Sequence, residues 1–287
     1  MSENVHPRAD AMDSLTTGEL LELMLTEDRR AIEAVGPVLD RVAEAVDGIA
    51  ERLRAGGRLH YFGAGTSGRL AVLDAAECPA TFGIPADLVQ AHAAGDGEAE
   101  DDHAKGVVDA RGAGLVARDA VVGVSASGRT KYVLAAVAEA KREGSLVVGL
   151  SCAPGSPLGA AADVAIEIDA GPEVVAGSTR LKAGTAQKVT LNMISTGVFT
   201  RLGHTYRGRM VGVVTANEKL RARAARMVRE LTGCSDERVD SALHEADGNA
   251  RVAILMLRCG IDSAAARARL AAAKGDLAVA LGEKGGA

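Results

Sequence analysis

Apolar positions over residues 15–55 recur at steps of three and four: Leu20, Leu21, Leu23 and Met24, then Val35, Val38, Leu39, Val42, Val46, Ile49 and Leu53. One face of a helix repeats at that spacing, so the stretch predicts two helices. Pro37 suits the start of the second, and Gly56-Gly57 its stop. Such a hairpin packs on the main domain or on a partner subunit. From residue 57 the pattern changes to short β-branched runs. Arg58–Phe62, Leu88–His92, Ala120–Ser125, Ser145–Ser151 and Asp163–Ile168 read as strands, with helices at Thr66–Ala76 and Lys131–Arg142. Pro79 is the expected stop of the first of these helices. Strands apolar along their whole length are covered on both faces. The pattern therefore predicts an α/β fold, doubly wound around a mainly parallel five-stranded sheet. Leu181–Leu202 and Met210–Glu230 predict two longer helices. Ser235–Ala246, Gly248–Arg258 and Asp262–Leu270 predict short ones that share a small core of their own. The expected division is 1–56, an N-terminal helical segment; 57–232, the sheet domain; and 233–287, a small helical tail.

Composition narrows the function. The chain has 287 residues, 47% hydrophobic and 25% charged, as an ordinary globular protein has. Its formal net charge of -5 leaves no basic excess for nucleic acid. Aromatics make up 2%, with no Trp. That removes the stacking platforms of single-strand binders and disfavours an aromatic-walled sugar groove. No apolar run reaches the roughly 18 residues of a membrane span, and the polar N-terminus lacks an apolar signal core, so a cytoplasmic protein is expected. Cys78, Cys152, Cys234 and Cys259 are scattered without a CxxC pair and read as reduced, buried thiols. The histidines show no HxxxH or HExxH spacing, so no metal site is expected.

Ligands of a doubly wound sheet bind at the carboxyl ends of its strands, and the candidate motifs lie there. Gly63-Ala64-Gly65-Thr66-Ser67-Gly68-Arg69 follows the first strand and opens a helix. Glycines let backbone N–H groups approach an anion, and the helix N-terminus adds a favourable dipole. The run also spells GxGxxG, but a dinucleotide site wants an acidic residue at the end of the second strand, and that strand ends at Gln90-Ala91-His92. Hydroxyls at Thr66 and Ser67 favour a phosphate monoester. Ser125-Ala126-Ser127-Gly128-Arg129-Thr130 repeats the same chemistry after the third strand. Alone it would be a helix cap; as a pair, the two loops converge on one crevice. In Gly177–Lys188, Ser178 or Thr179 can cap the helix that follows, and Arg180, Lys182 and Lys188 bring positive charge to its start. Two acidic runs, Asp74–Pro79 and Glu98–Asp102, read from periodicity alone as surface charge and a solvated helix start.

The stretches GAGTSGRLAVLDAAECPATFG (63–83), VVGVSASGRTKYV (121–133), EVVAGSTRLKAGTAQK (173–188), LNMISTG (191–197) and TANEKL (215–220) resemble the blocks of the N-acetylmuramic acid 6-phosphate etherases, in that family's order, over about residues 15–275. The resemblance implies a sugar-isomerase-type domain, and a lyase that converts N-acetylmuramate 6-phosphate and water to N-acetylglucosamine 6-phosphate and D-lactate. It implies no cofactor, a small-molecule sugar-phosphate partner, and a homodimer with the N-terminal hairpin and the 181–202 helix buried. The family's acid/base glutamate matches Glu77, and its second glutamate matches Glu100 when a gap of about eight residues follows Gly95. By the same resemblance Gly65, Thr66, Ser67, Ser125, Ser127 and Thr130 bind phosphate, with Ser178 and Lys182 near the sugar. Two segments depart from the pattern: Val5–Leu15, and Arg207–Gly212, which lacks the family's Asn and Asp. The tail resembles a ubiquitin-associated module. The glucokinase regulatory protein shares part of the pattern, so a sugar-phosphate sensor stays open. So does a sugar-phosphate isomerase on the same fold.

Overall fold

The computed structural model describes residues 4–95, 97–212 and 218–283, the side chain of Lys219 excepted. Its helices and strands run α1 (Thr17–Glu33), α2 (Leu39–Arg54), β1 (Leu59–Ala64), α3 (Gly65–Phe82), β2 (Val89–Ala94), α4 (His103–Gly112), β3 (Ala120–Ser125), α5 (Lys131–Arg142), β4 (Leu146–Ser151), α6 (Pro157–Ala161), β5 (Val164–Glu167), α7 (Lys182–Arg201), α8 (Glu218–Thr232), α9 (Asp236–Glu245), α10 (Ala250–Cys259), α11 (Ser263–Ala272) and α12 (Leu277–Leu281). By contacts the chain divides into two units, 1–76 with 87–197, and 77–86 with 198–287.

In the first unit the strands form one parallel sheet in the order β2-β1-β3-β4-β5. The central strands β1 and β3 are buried at every residue, as continuous apolar runs demand. Phe62, Val121, Tyr132, Val133, Val137, Val147 and Leu158 form the core on one face, and α2 covers β3–β5. The predicted hairpin thus packs on the sheet of its own chain through α2. A capping box at Thr16 and Glu19 starts α1, and Gly56, with φ +80, ends α2. The connection from β1 runs to β2 on one side, and the next strand, β3, lies on the other side of β1. That reversal makes the crevice between the ends of β1 and β3 the ligand position of this topology.

The second unit has its own core, in which Ala224, Met227 and Val228 of α8 pack with Val239, Ala253, Ile254, Ala266 and Leu277. Hence α8 shares its core with the tail helices. Three expectations change here. Pro79 does not stop α3, which runs on to Phe82. The last turn is held by packing: Phe82 stacks on Phe199 at 4.7 Å, and its carbonyl meets His204 Nδ1 at 2.8 Å. Tertiary contacts of this kind override a local propensity of about 3 kcal/mol. The stop is Gly83, which adopts φ +64 and donates its N–H to Pro79 O at 2.9 Å. Of the helix expected at Met210–Glu230, 210–212 are not helical, 213–217 lie outside the described residues, and the remainder falls in α8. Finally, a fourth tail helix, α12, is capped by Asp276, whose carboxylate accepts from Ala278 N and Val279 N.

An imidazole pair, His60 buried and His92 half-buried, crosses β1 and β2. His60 Nδ1 and His92 Nε2 lie 3.2 Å apart, and His92 stacks on Phe62 at 4.5 Å. Burial, the Arg58 charge and His92 lower the His60 pKa to about 4, against a weaker pull upward from Asp119. Burial lowers His92 as well. Both imidazoles are therefore neutral in the folded chain where the unfolded chain begins to protonate. Stability is expected to be whole above pH 6.5 and to fall as pH drops from 6.5 towards 4. His60 alone accounts for about 3 kcal/mol of that loss. Urea unfolding across this range checks it; His60→Gln is expected to flatten the slope.

Candidate active site

The first loop begins inside β1. Gly65 adopts φ +53 and turns the chain directly into α3. Thr66 and Ser67 occupy the first turn, where N–H groups have no helical partner. Ser67 is buried and its hydroxyl donates to Gln187 Oε1 at 2.9 Å. The start of α7 lies alongside: a Cβ added at Gly184 would sit 3.6 Å from Thr66 Cγ2.

The second loop follows β3, and its first residue adjoins the end of β1, since Gly63 pairs with Val124. Ser125 Oγ and Thr130 Oγ1 are 2.8 Å apart, and Gly128 N donates to Ser125 Oγ at 3.0 Å. Ser127 Oγ accepts from Arg129 N at 3.2 Å. Thr130 occupies the N-cap position of α5 but makes no side-chain cap. Its hydroxyl turns to Ser125 instead, so the first turn of α5 keeps its donors and its dipole for an anion. The helix-cap reading of this loop therefore fails, and two hydroxyl-bearing helix starts stand at adjacent strand ends.

Glu100 lies on the 3-10 turn Gly97–Glu100, after β2. Lys131, the first residue of α5, pairs with Asp101 at 3.3 Å. The acidic run thus lies beside the second loop, and Asp102 caps α4 through Lys105 N at 2.8 Å. Glu77 is exposed on α3, in the part of that helix that belongs to the second unit. Its DAAECP block is not simply surface charge. Asp74 is 4% exposed and accepts from Tyr61 Oη at 3.0 Å and Ser195 Oγ at 3.2 Å.

The third motif is built differently from the expectation. Neither Ser178 nor Thr179 caps α7; the buried carboxylate of Glu173 does, accepting from Lys182 N at 2.8 Å and Ala183 N at 3.0 Å. Ser178 is half-buried in the preceding turn, its N–H bonded to Val175 O. Lys182 is 3% exposed, and its ammonium is committed to Glu27 Oε2 at 2.6 Å and Pro172 O at 3.2 Å. Glu27 also meets Arg30 at 2.5 Å and His6 at 3.5 Å. Burial works to raise the Glu27 carboxyl, but Lys182, Arg30 and His6 together outweigh it and hold it below its usual value. These groups line a cleft of about 780 Å³ with Arg8, Asp169 and Gly171. Cys152, at the end of β4, is buried and its thiol is pushed up to about 12, so it is no nucleophile. Cys78 is also buried, whereas Cys234 and Cys259 are only half-covered.

Sequence reasoning missed Glu27, His6, Glu173 and Gln187. Gln187 was the most legible of these: it is a polar residue on the buried stripe Ala183, Ala186, Thr190, Ile194 of α7.

The SIS domain family matches this chain over residues 25–152 and again over 109–196. An N-acetylmuramic acid 6-phosphate etherase of Rubrobacter xylanophilus is 50% identical over 291 residues, spanning 99% of this chain and 96% of its own length. One from Streptomyces avermitilis is 49% identical, spanning 98% and 93%. The match thus reaches beyond residues 15–275 and takes in the N-terminal segment. Among solved structures, a protein of E. coli CFT073 superposes with a TM-score of 0.51 at 20% identity, covering 68% of this chain and 97% of its own. A phosphoheptose isomerase of Neisseria gonorrhoeae gives 0.50 at 22%, covering 64% and 100%. Those two likenesses speak for the fold, and the full-length relatives for the family: this chain belongs to the N-acetylmuramic acid 6-phosphate etherases.

Proposed function

We propose that the chain cleaves the D-lactyl ether of N-acetylmuramic acid 6-phosphate in the cytoplasm, giving N-acetylglucosamine 6-phosphate and D-lactate for cell-wall sugar recycling. The observation that carries this reading is the 50% identity to an etherase over 99% of the chain. The paired loops supply the anchor. Thr66, Ser67, Ser125, Ser127 and Thr130, with the first turns of α3 and α5, hold the phosphate, and Ser178 lies towards the sugar.

The ether oxygen sits on C3, β to the aldehyde of the open-chain sugar. A base removes the C2 proton, the electron pair forms the C2–C3 double bond, and the C3–O bond breaks. An acid protonates the departing oxygen, which leaves on D-lactate. Water then adds at C3 and a proton returns to C2, which balances the reaction. Glu77 serves as the acid and Glu100 as the second acid/base, since carboxyl groups do both tasks when properly placed. In ¹⁸O-water this route labels the sugar at C3 and leaves lactate unlabelled. Label in the lactate instead would rule the elimination out. An isomerase releases no lactate, and a sensor turns nothing over, so the same assay separates those readings.

The protein acts as a homodimer in this proposal. Leu21, Leu25 and Ile32 are about half exposed along one line of α1, and Met193 of α7 is 38% exposed. These apolar positions lie on the two helices expected to be buried between subunits.

A further inference from the structure

Gln187 is 1% exposed, and one end of its carboxamide takes the hydroxyl proton of Ser67, Oε1 lying 2.9 Å from Oγ. The other end, Nε2, is buried with no hydrogen-bond partner among the described residues. Buried amide donors without a partner are few in native proteins and costly. This one lies next to a side chain of the phosphate loop.

A serine hydroxyl has one proton. Here Ser67 gives it to Gln187 and keeps only lone pairs for anything else. A phosphate dianion also offers only lone pairs, so Ser67 and phosphate cannot bond in this arrangement. Turning the carboxamide over by half a revolution places Nε2 where Oε1 stands. The amide then donates to Ser67 Oγ, and the Ser67 proton is released to the phosphate. The turn conserves shape, because the two ends of the carboxamide are nearly the same size. It also leaves one amide atom unpaired in either orientation. In the second orientation that atom is a carbonyl oxygen, which buried sites tolerate somewhat better than an orphan N–H. The two orientations are therefore closely balanced, and a ligand that accepts a proton from Ser67 tips the balance.

We propose that Gln187 is a positioning residue for the substrate phosphate: its carboxamide sets the direction of the Ser67 proton and turns over when phosphate enters the first loop. This rests on the sugar-phosphate reading above and deepens it.

The test is titration of folded wild type and variants with N-acetylglucosamine 6-phosphate and with inorganic phosphate, followed by calorimetry, with KM and kcat measured in turnover. Gln187→Glu keeps the shape and in its ionised form only accepts, so it holds the Ser67 proton away from the ligand. Its Kd is expected to rise about tenfold or more, with KM following and kcat nearly kept. Gln187→Met neither holds nor directs the proton and is expected to lose less, about threefold. The decisive comparison is Gln187→Glu in a Ser67→Ala background. If Gln187 acts through Ser67, the substitution costs much less there than in the wild type. An equal cost in both backgrounds reports plain charge repulsion and overturns the proposal, as does a Gln187→Glu protein with wild-type Kd. If Gln187→Glu does not fold, Gln187→Met decides: a wild-type Kd, or a loss as large as that of Ser67→Ala, overturns the proposal, and an intermediate loss supports it. A wild type that binds neither probe removes the phosphate-site reading itself, before any variant is compared.

Discussion

Glu77→Ala is expected to lower D-lactate release to background while the protein stays folded. The elimination needs an acid at the ether oxygen, and a well-placed general acid or base contributes about 10²–10⁴-fold in rate. The side chain is exposed on α3, and the hydrogen bond recorded there, from Thr81 Oγ1 at 2.8 Å, goes to the Glu77 backbone carbonyl, which the substitution keeps. Alanine is the best helix former, so the variant is expected to melt within a degree or two of the wild type. Initial rates of lactate release and thermal unfolding on the same samples check both halves. Activity within tenfold of wild type would remove Glu77 from the acid role.

The second large effect is on stability. Glu27→Ala leaves the Lys182 ammonium buried with the Pro172 carbonyl as its remaining recorded partner. Removing one partner of a buried ion pair costs about 3–5 kcal/mol, because the other charge stays out of water. Urea unfolding at neutral pH is the measurement. An exposed pair would cost less than about 1 kcal/mol, so a loss that small would show that Lys182 reaches solvent and is free for the sugar, as the family pattern implies. The structure expects the large loss: Lys182 first anchors α1 and the segment around His6, and any role towards the sugar comes through that anchoring.

The contrast between Lys182 and the loops shows what the sequence makes legible. The strand Ala120–Ser125 and the helix Lys131–Arg142 have the boundaries read from pattern alone. A β-branched run followed by a polar turn and then a 3.6-residue period admits little else. The two loops at the ends of β1 and β3 were legible as loops for a related reason, since glycine and hydroxyl residues at strand ends are local features. Lys182 was not, because its partner Glu27 lies 155 positions away in the chain. Pro79 misled in the same way: its propensity is local, whereas the Phe82–Phe199 stack that keeps α3 going is not. The short helix α12 escaped because five residues carry too little periodicity to stand out. Gln187 gave a usable sign, a polar side chain at a core position, but its partner Ser67 became visible only once α3 and α7 were placed side by side.

An etherase releases D-lactate and N-acetylglucosamine 6-phosphate from one substrate, and that chemistry can be followed directly. Purified protein incubated with N-acetylmuramate 6-phosphate tests it most directly, by the time course of D-lactate and N-acetylglucosamine 6-phosphate. Equimolar formation of both, with catalytic turnover, is expected. A folded protein that binds the substrate yet releases no D-lactate would contradict the etherase reading.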